Sequence, residues 1–234
     1  MQVVGVDGCP GGWIAVVWDT DTDGWQPQRH NDFRDIVTSY PDAACIGIDI
    51  PIGLRDDGRA RGCDVAARAL LGWPRGASVF PAPQRRLLEH SSYNEASARS
   101  RADFGNGISR QAFGIYRKVS EVDGSITPDL QHRIVEVHPE VSFWAMNCNR
   151  PVAPSKKTEP GFEVRRNLLA DHLPFAIPET RNAARKRAPF ASADDLLDAL
   201  AVVWTARRHA SGQSRRLWAE PAIDAHGIRM QIVV

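Results

Sequence analysis

The chain has 234 residues, of which 43% are hydrophobic and 24% charged, ordinary values for a globular protein with its own core. The net charge of +1 hides an uneven distribution: residues 1–54 hold eight Asp and two Arg, whereas residues 55–118 hold twelve Lys or Arg and six acids. Residues 1–20 lack a basic start followed by an apolar stretch, and no apolar run approaches the ~18–20 residues of a membrane span, so we expect a cytoplasmic protein without membrane association.

The first 50 residues predict a mixed sheet. QVVGVD and WIAVVWD are two apolar strands, and the turn DTDTDG leads into a third strand around residues 25–29, which makes an antiparallel meander. NDFRDIVTSY has apolar residues at helical spacing, and ACIGIDIPIGL follows as a strand buried on both faces. The order strand, strand, strand, helix, strand favours an α/β fold with helices packed on a sheet.

The rest of the chain is less regular. Residues 51–132 are rich in Gly, Pro, Arg and Ser, with helical patches around CDVAARALLG and QAFGIYRKV, and are predicted to be a long insertion after the fourth strand. RIVEVH resumes as a strand, helices are predicted over about residues 163–172 and over residues 192–210, and IRMQIVV is predicted as a last strand. We treat residues 1–234 as a single domain.

Two strands end in an aspartate in the same way. Val4-Gly5-Val6-Asp7 and Ile46-Gly47-Ile48-Asp49 have one form, and each Asp shares a face with the glycine two residues before it. We expect that glycine to leave an unfilled space beneath the carboxylate. A buried, unpaired carboxylate costs several kcal/mol or takes up a proton, so both acids need a cation or a hydrogen-bond partner. The alternative is that each caps a turn.

The stretch GVDGCPGGW, residues 5–13, allows three interpretations: a phosphate-cradling loop, a tight β-hairpin, or a strand end with a metal-binding carboxylate. Phosphate-binding loops lead into a helix whose N-terminus holds the anion. Here GCPGG is followed by the strand WIAVVW. The pattern therefore favours a hairpin for the loop and a metal ligand for Asp7.

The late helix ASADDLLDALAVVWTARRHASG carries two further acids. Ser192 and Asp195 form a capping box, which explains Asp195 by helix chemistry alone. Asp198 lies past the first turn among apolar residues and has no such explanation. Because the two acids are three residues apart, they project from one face and offer two oxygens to one hard cation.

Glu136, in RIVEVH, is the next candidate, as a further ligand or as a general base. It shares a face with Ile134 and His138, although a strand near a sheet edge also exposes single glutamates. Glu140 is favoured at a helix start by the helix dipole in any case. Carboxylates without His or Cys at ligand spacing predict Mg²⁺ or Mn²⁺ in preference to zinc, and two such ions would support in-line attack at phosphorus.

Basic residues supply candidates for phosphate contact. The block at residues 55–118 is nearly all arginine, whose planar fork suits phosphate, although a solvated surface explains it equally well. Outside that block, Ser155-Lys156-Lys157-Thr158 with Arg165 just beyond is the candidate phosphate-contacting segment, with a solvated loop as the alternative. Cys9, Cys45, Cys63 and Cys148 form no C-x-x-C pair and are interpreted as buried free thiols.

The motifs as a set resemble a known family. GVDGCPGGW, IGIDIPIGL, RGCDVAAR, SVFPAP, VEVHPEVSF, SKKT and DDLLDALA are similar to the predicted RNase H-like nucleases catalogued as domain of unknown function 429. The late helix also looks like that of Holliday-junction resolvases within the RNase H-like superfamily. The resemblance implies a five-stranded mixed sheet flanked by helices, with catalytic roles for Asp7, Asp49, Asp195 and Asp198. Asp49 stands where many RNase H-like nucleases have Glu.

Three functions stay open at this point. The first is a nuclease that uses Mg²⁺ or Mn²⁺, with Asp7, Asp49, Asp195 and Asp198 as ligands and Glu136 assisting. The second is a nucleic-acid-binding module of the same fold without catalysis. The third is a sugar-kinase or actin-like nucleotide-binding protein, which needs two such domains and therefore a longer chain. We expect nucleic acid as the partner, and a homodimer is a further hypothesis. The insertion is interpreted as either a substrate lid or a subunit contact.

Overall fold

The computed structural model describes residues 1–217 and 222–234 as an α/β fold around an open five-stranded mixed sheet. The first three strands form the predicted antiparallel meander, the fourth pairs in parallel with the first, and the fifth pairs in parallel with the fourth, so the order across the sheet is third, second, first, fourth, fifth. The prediction of a five-stranded mixed sheet flanked by helices is confirmed. The strands are β1 (Gln2–Cys9), β2 (Gly12–Asp19), β3 (Gly24–His30), β4 (Cys45–Ile48) and β5 (Ile134–Glu136).

Helices cover both faces of the sheet. The α-helices of the described residues are α1 (Phe33–Ser39), α2 (Gly62–Leu71), α3 (Tyr93–Phe104), α4 (Arg110–Gly114), α5 (Tyr116–Asp123), α6 (Pro139–Met146), α7 (Glu159–His172), α8 (Arg181–Arg187) and α9 (Ala193–Ala210). Short 3₁₀ helices span Arg75–Ser78, Arg85–Glu89 and Pro128–His132. None of these helices is both long and apolar enough to cross a membrane.

The two faces of the sheet follow from strand alternation. In β1 and β4, Val3 and Cys45 pack into a core with α6, α7, α8 and α9. Their neighbours Val4 and Ile46 pack on the other side against α1 and α5. Because side chains two residues apart share a face, Gly5, Asp7, Gly47 and Asp49 all lie on the side of α9.

The glycines of β1 and β4 let α9 lie directly on the sheet. A methyl group added at Gly5 would lie 2.7 Å from Cα of Val203 and would overlap the backbone of Ala199, and one added at Gly47 would lie 2.9 Å from Cγ1 of Val202. The expectation of an unfilled space beneath each carboxylate was therefore wrong. The backbone of α9 occupies that space at Gly5 and the side chain of Val202 occupies it at Gly47, so α9 lies close to the strand ends.

Three sequence predictions differ in detail. Helix α7 begins at Glu159, earlier than predicted, because Thr158 caps it and accepts a hydrogen bond from Gly161 N. Among the described residues, the predicted last strand makes only isolated bridges, in which Val233 pairs with Val137 and with Arg216, and Arg229 pairs with Ile223. Cys9, Cys45 and Cys63 are buried free thiols as predicted, but Cys148 is exposed.

Candidate functional site

Strand register places Asp7 beside Asp49. In the parallel β1–β4 pair Val6 lies opposite Ile48, so the next residue of each strand is an aspartate at the same edge of the sheet. The backbone continues this pairing, since Asp49 N donates to the carbonyl of Val6 at 3.0 Å. The carboxyl ends of two neighbouring parallel strands thus present two acids to one side of the sheet.

Helix α9 brings a third acid to the same place. Ser192 and Asp195 form the predicted capping box, in which Ser192 N donates to Oδ2 of Asp195 at 2.9 Å and Asp195 N donates to Oγ of Ser192 at 3.2 Å. Asp198, one turn further along, is 2% exposed. One Asp195 oxygen is thus used in the cap, whereas Asp198 faces the strand ends from within the core.

Burial and mutual repulsion raise the pKa values of the two strand-end acids. Burial raises the pKa of Asp7 well above its usual range, and the negative charges of Asp49 and Asp198 raise it further. Burial likewise raises the pKa of Asp49 to about 6; Asp198 adds to the increase, whereas His138 and Lys156 oppose it. The acids repel one another, so a cation among them is stabilising.

Lys156 supplies a cation in this structure. Its ammonium group donates a short hydrogen bond to Oδ2 of Asp198, and Asp198 raises the pKa of Lys156 far above its usual range, with further contributions from Asp7 and Asp49. Oδ1 of Asp198 is buried and has no hydrogen-bond partner among the described residues. One acceptor in the cluster is therefore still unsatisfied.

The chemistry of this donor set fits a hard divalent cation, because carboxylate oxygens are the ligands that Mg²⁺ and Mn²⁺ prefer. Within residues 1–217 and 222–234, no group of three or more His, Cys, Asp or Glu side chains is arranged to hold a metal ion as it stands. Binding would require the carboxylates of Asp7, Asp49 and Asp198 to turn toward a common point and Lys156 to leave Asp198.

A cavity of about 350 Å³ opens over these acids. Its floor includes Asp7, Asp49, Lys156, Asp195 and Asp198. The volume is at the lower end of the ~300–1,000 Å³ typical of small-ligand sites. Asp7, Asp49, Asp195 and Asp198, all named from the sequence, thus line one cavity.

Comparison with known proteins gives a family. A family model described as "Protein of unknown function (DUF429)" matches residues 5–223. The chain belongs to this family. Neither a curated protein nor a solved structure matches it.

In this DUF429 chain, the carboxylate of Glu136 does not point to the side of the sheet on which Asp7, Asp49 and Asp198 lie. Its neighbours Val135 and Val137 pack on the α9 side of the sheet, so by alternation Glu136 points to the opposite side, like Ile134. Both of its carboxylate oxygens accept hydrogen bonds from Arg61, at 2.6 and 2.8 Å.

The surroundings of Glu136 are those of a structural residue. Its Oε2 also accepts from Ile52 N at 2.7 Å, and Arg61 pairs in turn with Asp64. Burial raises the pKa of Glu136 to about 7 against the opposing attraction of Arg61. We therefore correct the ligand or general-base assignment: this carboxylate lines the cavity with its oxygens already occupied.

Arg165 also needs correction. The prediction placed it in contact with phosphate, but its side chain is 1% exposed and forms a two-pronged ion pair with Glu140, with Nη2 2.7 Å from each carboxylate oxygen. It also donates to the carbonyl groups of Pro154 and Gly161. Arg165 therefore fixes the loop that carries Lys156, and it has no surface for a ligand.

Lys157 has a different partner from Lys156. It pairs with Asp194 at 2.9 Å, and Arg181 donates to the other oxygen of that carboxylate at 2.8 Å. Its side chain is 72% exposed, so a phosphate contact at the outer edge of the site stays a prediction.

Most arginines of the basic block have acidic or carbonyl partners within the chain. Arg85 pairs with Asp123 and Asp224, and Arg86 lies near Asp56 and Asp103. Further pairs are Arg55–Asp57, Arg61–Asp64, Arg99–Asp103 and Arg117–Glu121. The charge excess that the sequence indicated is therefore largely neutralised in the fold.

Sequence reasoning did not name several cavity residues as site residues, among them Phe80, Ile115, Lys118 and His138. Phe80 lies in an irregular segment, and Ile115 and Lys118 lie in a patch whose helical pattern does not show which residues face a site. For His138, its place two residues after Glu136 was noted, but its proximity to Asp49 depends on the parallel pairing of β4 with β5.

Proposed function

We propose that this chain is a metal-dependent nuclease that hydrolyses phosphodiester bonds of DNA or RNA, built on an RNase H-like fold with residues 51–132 as an insertion. The observation that carries the proposal is the meeting of Asp7, Asp49 and Asp198 at one end of the sheet, under a cavity, with one buried carboxylate oxygen unpartnered. Acids at the ends of β1 and β4 and on a late helix are what the resemblance to RNase H-like nucleases implies.

Asp7, Asp49 and Asp198 would hold Mg²⁺ or Mn²⁺, with Asp195 at the outer side through the oxygen that its cap leaves free. One or two ions bound there would activate an attacking water and stabilise the leaving oxygen of an in-line displacement at phosphorus. Glu136 has no direct part in this proposal, because Arg61 and Ile52 N occupy its oxygens.

Lys156 acts on the substrate in this proposal. Its side chain is 38% exposed, so it has room to turn from Asp198 toward the cavity. There its ammonium group donates to a non-bridging phosphate oxygen and holds the phosphate over the carboxylates. The same residue thus neutralises Asp198 in the free protein and orients the phosphodiester in the complex.

A second candidate is a nucleic-acid-binding module without catalysis, and one observation favours it. Lys156 already places a positive charge among the acids, so the fold does not require a metal ion to relieve their repulsion. A module of this kind would keep its affinity for nucleic acid in EDTA and would cleave none.

The deciding experiment incubates the protein with single- and double-stranded DNA and RNA in Mn²⁺, in Mg²⁺ and in EDTA. The variants are Asp7→Asn and Asp198→Asn, and Asp171→Asn, an exposed acid on α7, is the matched control. Circular dichroism checks that each variant is folded. We expect cleavage by the wild type and the control only, and only with metal. Equal behaviour of all four proteins on every substrate refutes the nuclease proposal.

A further inference from the structure

The cavity over the carboxylates has two apolar walls from separate parts of the chain. Val79 and Phe80 form one wall, and Ile115 of the α4–α5 junction lies on the other. Phe80 is 39% exposed, and it lines the same cavity as the acids. Isolated apolar residues on a surface need no explanation, but an accessible aromatic ring inside a cavity with a charged floor is suited to a flat, aromatic ligand group.

The wall that carries Phe80 is held from several sides. Arg68 of α2 donates two hydrogen bonds to the carbonyl of Val79, at 2.8 and 2.7 Å. The backbone at Gly76 lies so close to α2 that a methyl group there would be 2.8 Å from the carbonyl oxygen of Arg68. Helix α2 is joined to the sheet by the buried Arg61–Glu136 pair. The backbone that leads to Phe80 is therefore anchored in the free protein.

The wall that contains Ile115 is fixed to the β1–β2 hairpin. Nε1 of Trp13 donates to Oε2 of Glu121 at 2.8 Å, which ties α5 to β2. Lys118 lies over the Trp13 ring, with its Nζ 4.1 Å from the ring centroid, and donates to the carbonyl of Gly12. Two anchored segments thus line the same cavity as the carboxylates, and anchored segments reduce the entropic cost of binding.

The size of the cavity limits what binds. Specific duplex interfaces bury ~1,000–2,500 Å² of protein surface. A cavity of about 350 Å³ instead has the dimensions of a small-ligand site. The floor holds the phosphate-directed groups and the walls hold apolar side chains, so a ligand with a phosphate at one end and a flat ring at the other matches the polarity of the site.

From these observations we infer that the cavity takes one nucleotide unit, with its base against Phe80 and its phosphate at Lys156 and the carboxylates. The placement of the phosphate rests on the proposed function, whereas the placement of the base rests on Phe80 and Ile115. The unit is the terminal nucleotide of a single strand, so the enzyme removes nucleotides from strand ends. A free mononucleotide shares the same chemistry and is the other source that the experiment separates.

The binding arm uses deoxyadenosine 5′-monophosphate with Mn²⁺ and isothermal titration calorimetry. Base stacking on an aromatic side chain contributes ~1–3 kcal/mol, so Phe80→Ala should weaken binding by about fivefold or more. Phe80→Tyr should retain affinity, and deoxyribose 5-phosphate, which lacks a base, should bind weakly to all variants. Trp73→Ala is the matched control, since Trp73 is 90% exposed and lies outside the cavity.

The cleavage arm compares linear single-stranded DNA labelled at either end with circular single-stranded DNA and closed circular duplex. Mononucleotide release from one end of the linear strand, with both circles intact, supports the inference. Cleavage of a circle at a comparable rate overturns the restriction to strand ends and leaves the nuclease proposal standing.

The two arms test binding of the base and catalysis independently. The proposed base site is overturned, whether or not cleavage occurs, if wild type and Phe80→Ala bind the nucleotide equally. It is also overturned if the base-free sugar phosphate binds as tightly as the nucleotide. Phe80-dependent binding without cleavage of any substrate supports the nucleotide site, identifies the free nucleotide as its ligand and refutes the nuclease proposal.

Discussion

The ammonium group of Lys156 lies against Oδ2 of Asp198, at the centre of a group of acids from two strands and one helix. Asp198 is buried and Lys156 reaches it from a loop whose backbone is held by Arg165. A side chain of the protein therefore stands where we propose that a metal ion binds. If the proposal is correct, this single contact links the stability of the free protein to its affinity for metal.

Lys156→Met should separate those two properties. Loss of the charge leaves Asp198 buried and unpaired. Breaking a fully buried ion pair costs ~3–5 kcal/mol. Because Lys156 is partly exposed, we expect a smaller loss, of about 1–3 kcal/mol in the free energy of unfolding. The variant should bind Mn²⁺ more tightly and cleave more slowly. Urea unfolding in EDTA and calorimetric titration with Mn²⁺ measure the first two effects.

The matched control for this prediction is Lys157→Met, which removes the neighbouring and more exposed partner of Asp194. It should change stability by less than about 1 kcal/mol, the usual value of an exposed ion pair, and leave Mn²⁺ affinity unchanged. Equal effects of the two substitutions on Mn²⁺ binding would show that Lys156 does not compete with metal.

Asp49 should make the metal-free protein less stable as the pH rises. Its pKa is about 6 in the folded chain, against about 3.9 in an unfolded one, so the folded state holds the proton more tightly. The stabilisation from this proton is complete below pH 4 and is lost as the pH rises through 6. The loss is about 2–3 kcal/mol at most, because the cavity side of Asp49 retains some contact with water.

Asp49→Asn removes this titration, so in EDTA the variant should become more stable than the wild type as the pH increases from 4.5 to 7.5. Urea unfolding at each pH gives the difference in free energy of unfolding. In Asp171→Asn, the exposed control, that difference should stay constant. A constant difference for Asp49→Asn would contradict the raised pKa.

Gly5→Ala should destabilise the fold and weaken the site together. The added methyl group overlaps the backbone of Ala199 and Val203, so α9 must move away from β1 and take Asp198 with it. We expect a loss of about 3 kcal/mol or more, as for overpacking against rigid backbone. Thermal unfolding with and without Mn²⁺ measures the loss of stability and the loss of metal-induced stabilisation.

Gly24→Ala provides the comparison, because a methyl group at this exposed strand position meets only Oγ1 of Thr22, at 3.2 Å. Its unfolding temperature and its response to Mn²⁺ should match those of the wild type. If Gly5→Ala also keeps both values, α9 does not depend on glycine for its approach to the sheet.

Arg61→Met should be among the most destabilising single changes in the chain. It leaves the carboxylates of Asp64 and Glu136 buried without their partner, and breaking a buried pair in this way costs ~3–5 kcal/mol. Arg55→Met, which removes an ion pair with the more exposed Asp57, should cost less than about 1 kcal/mol. Chemical denaturation of both variants tests the difference.

Glu136→Gln tests whether this residue is structural or catalytic. We expect reduced stability but an unchanged increase in unfolding temperature on addition of Mn²⁺, because Glu136 points away from Asp7 and Asp49. Loss of the Mn²⁺ effect in a folded Glu136→Gln protein would return Glu136 to the metal site.

The strand-end acids were predictable because their evidence is local. The repeated form of Val4–Asp7 and Ile46–Asp49 gives two strands that end alike, and the register of β1 with β4 then places both acids together. Asp198 was identifiable because a carboxylate in an apolar helix contradicts the helix pattern. These three residues needed only periodicity and the cost of a buried charge.

The ion pairs of Glu136 and Glu140 with arginine were not predictable in the same way. The burial of Arg61 and Arg165 depends on ion pairs between residues 75 and 25 positions apart, and arginine is seldom fully buried without a partner. The face to which Glu136 points depends on which side of the sheet receives α9. Phe80 lies in an irregular segment, where no spacing rule indicates the direction of a side chain.

The close contact of α9 with Gly5 and Gly47 divides the site into parts that differ in their tolerance of change. Asp7 and Asp49 follow strands that are packed tightly against α9 at Gly5 and Gly47, so the spacing of these acids from Asp198 cannot change without loss of the core. The side chain of Phe80, by contrast, is 39% exposed and belongs to neither of the cores that flank the sheet. On the proposed function, a substitution at Phe80 would therefore change which ligand the cavity accepts and leave the arrangement of the carboxylates beneath it intact.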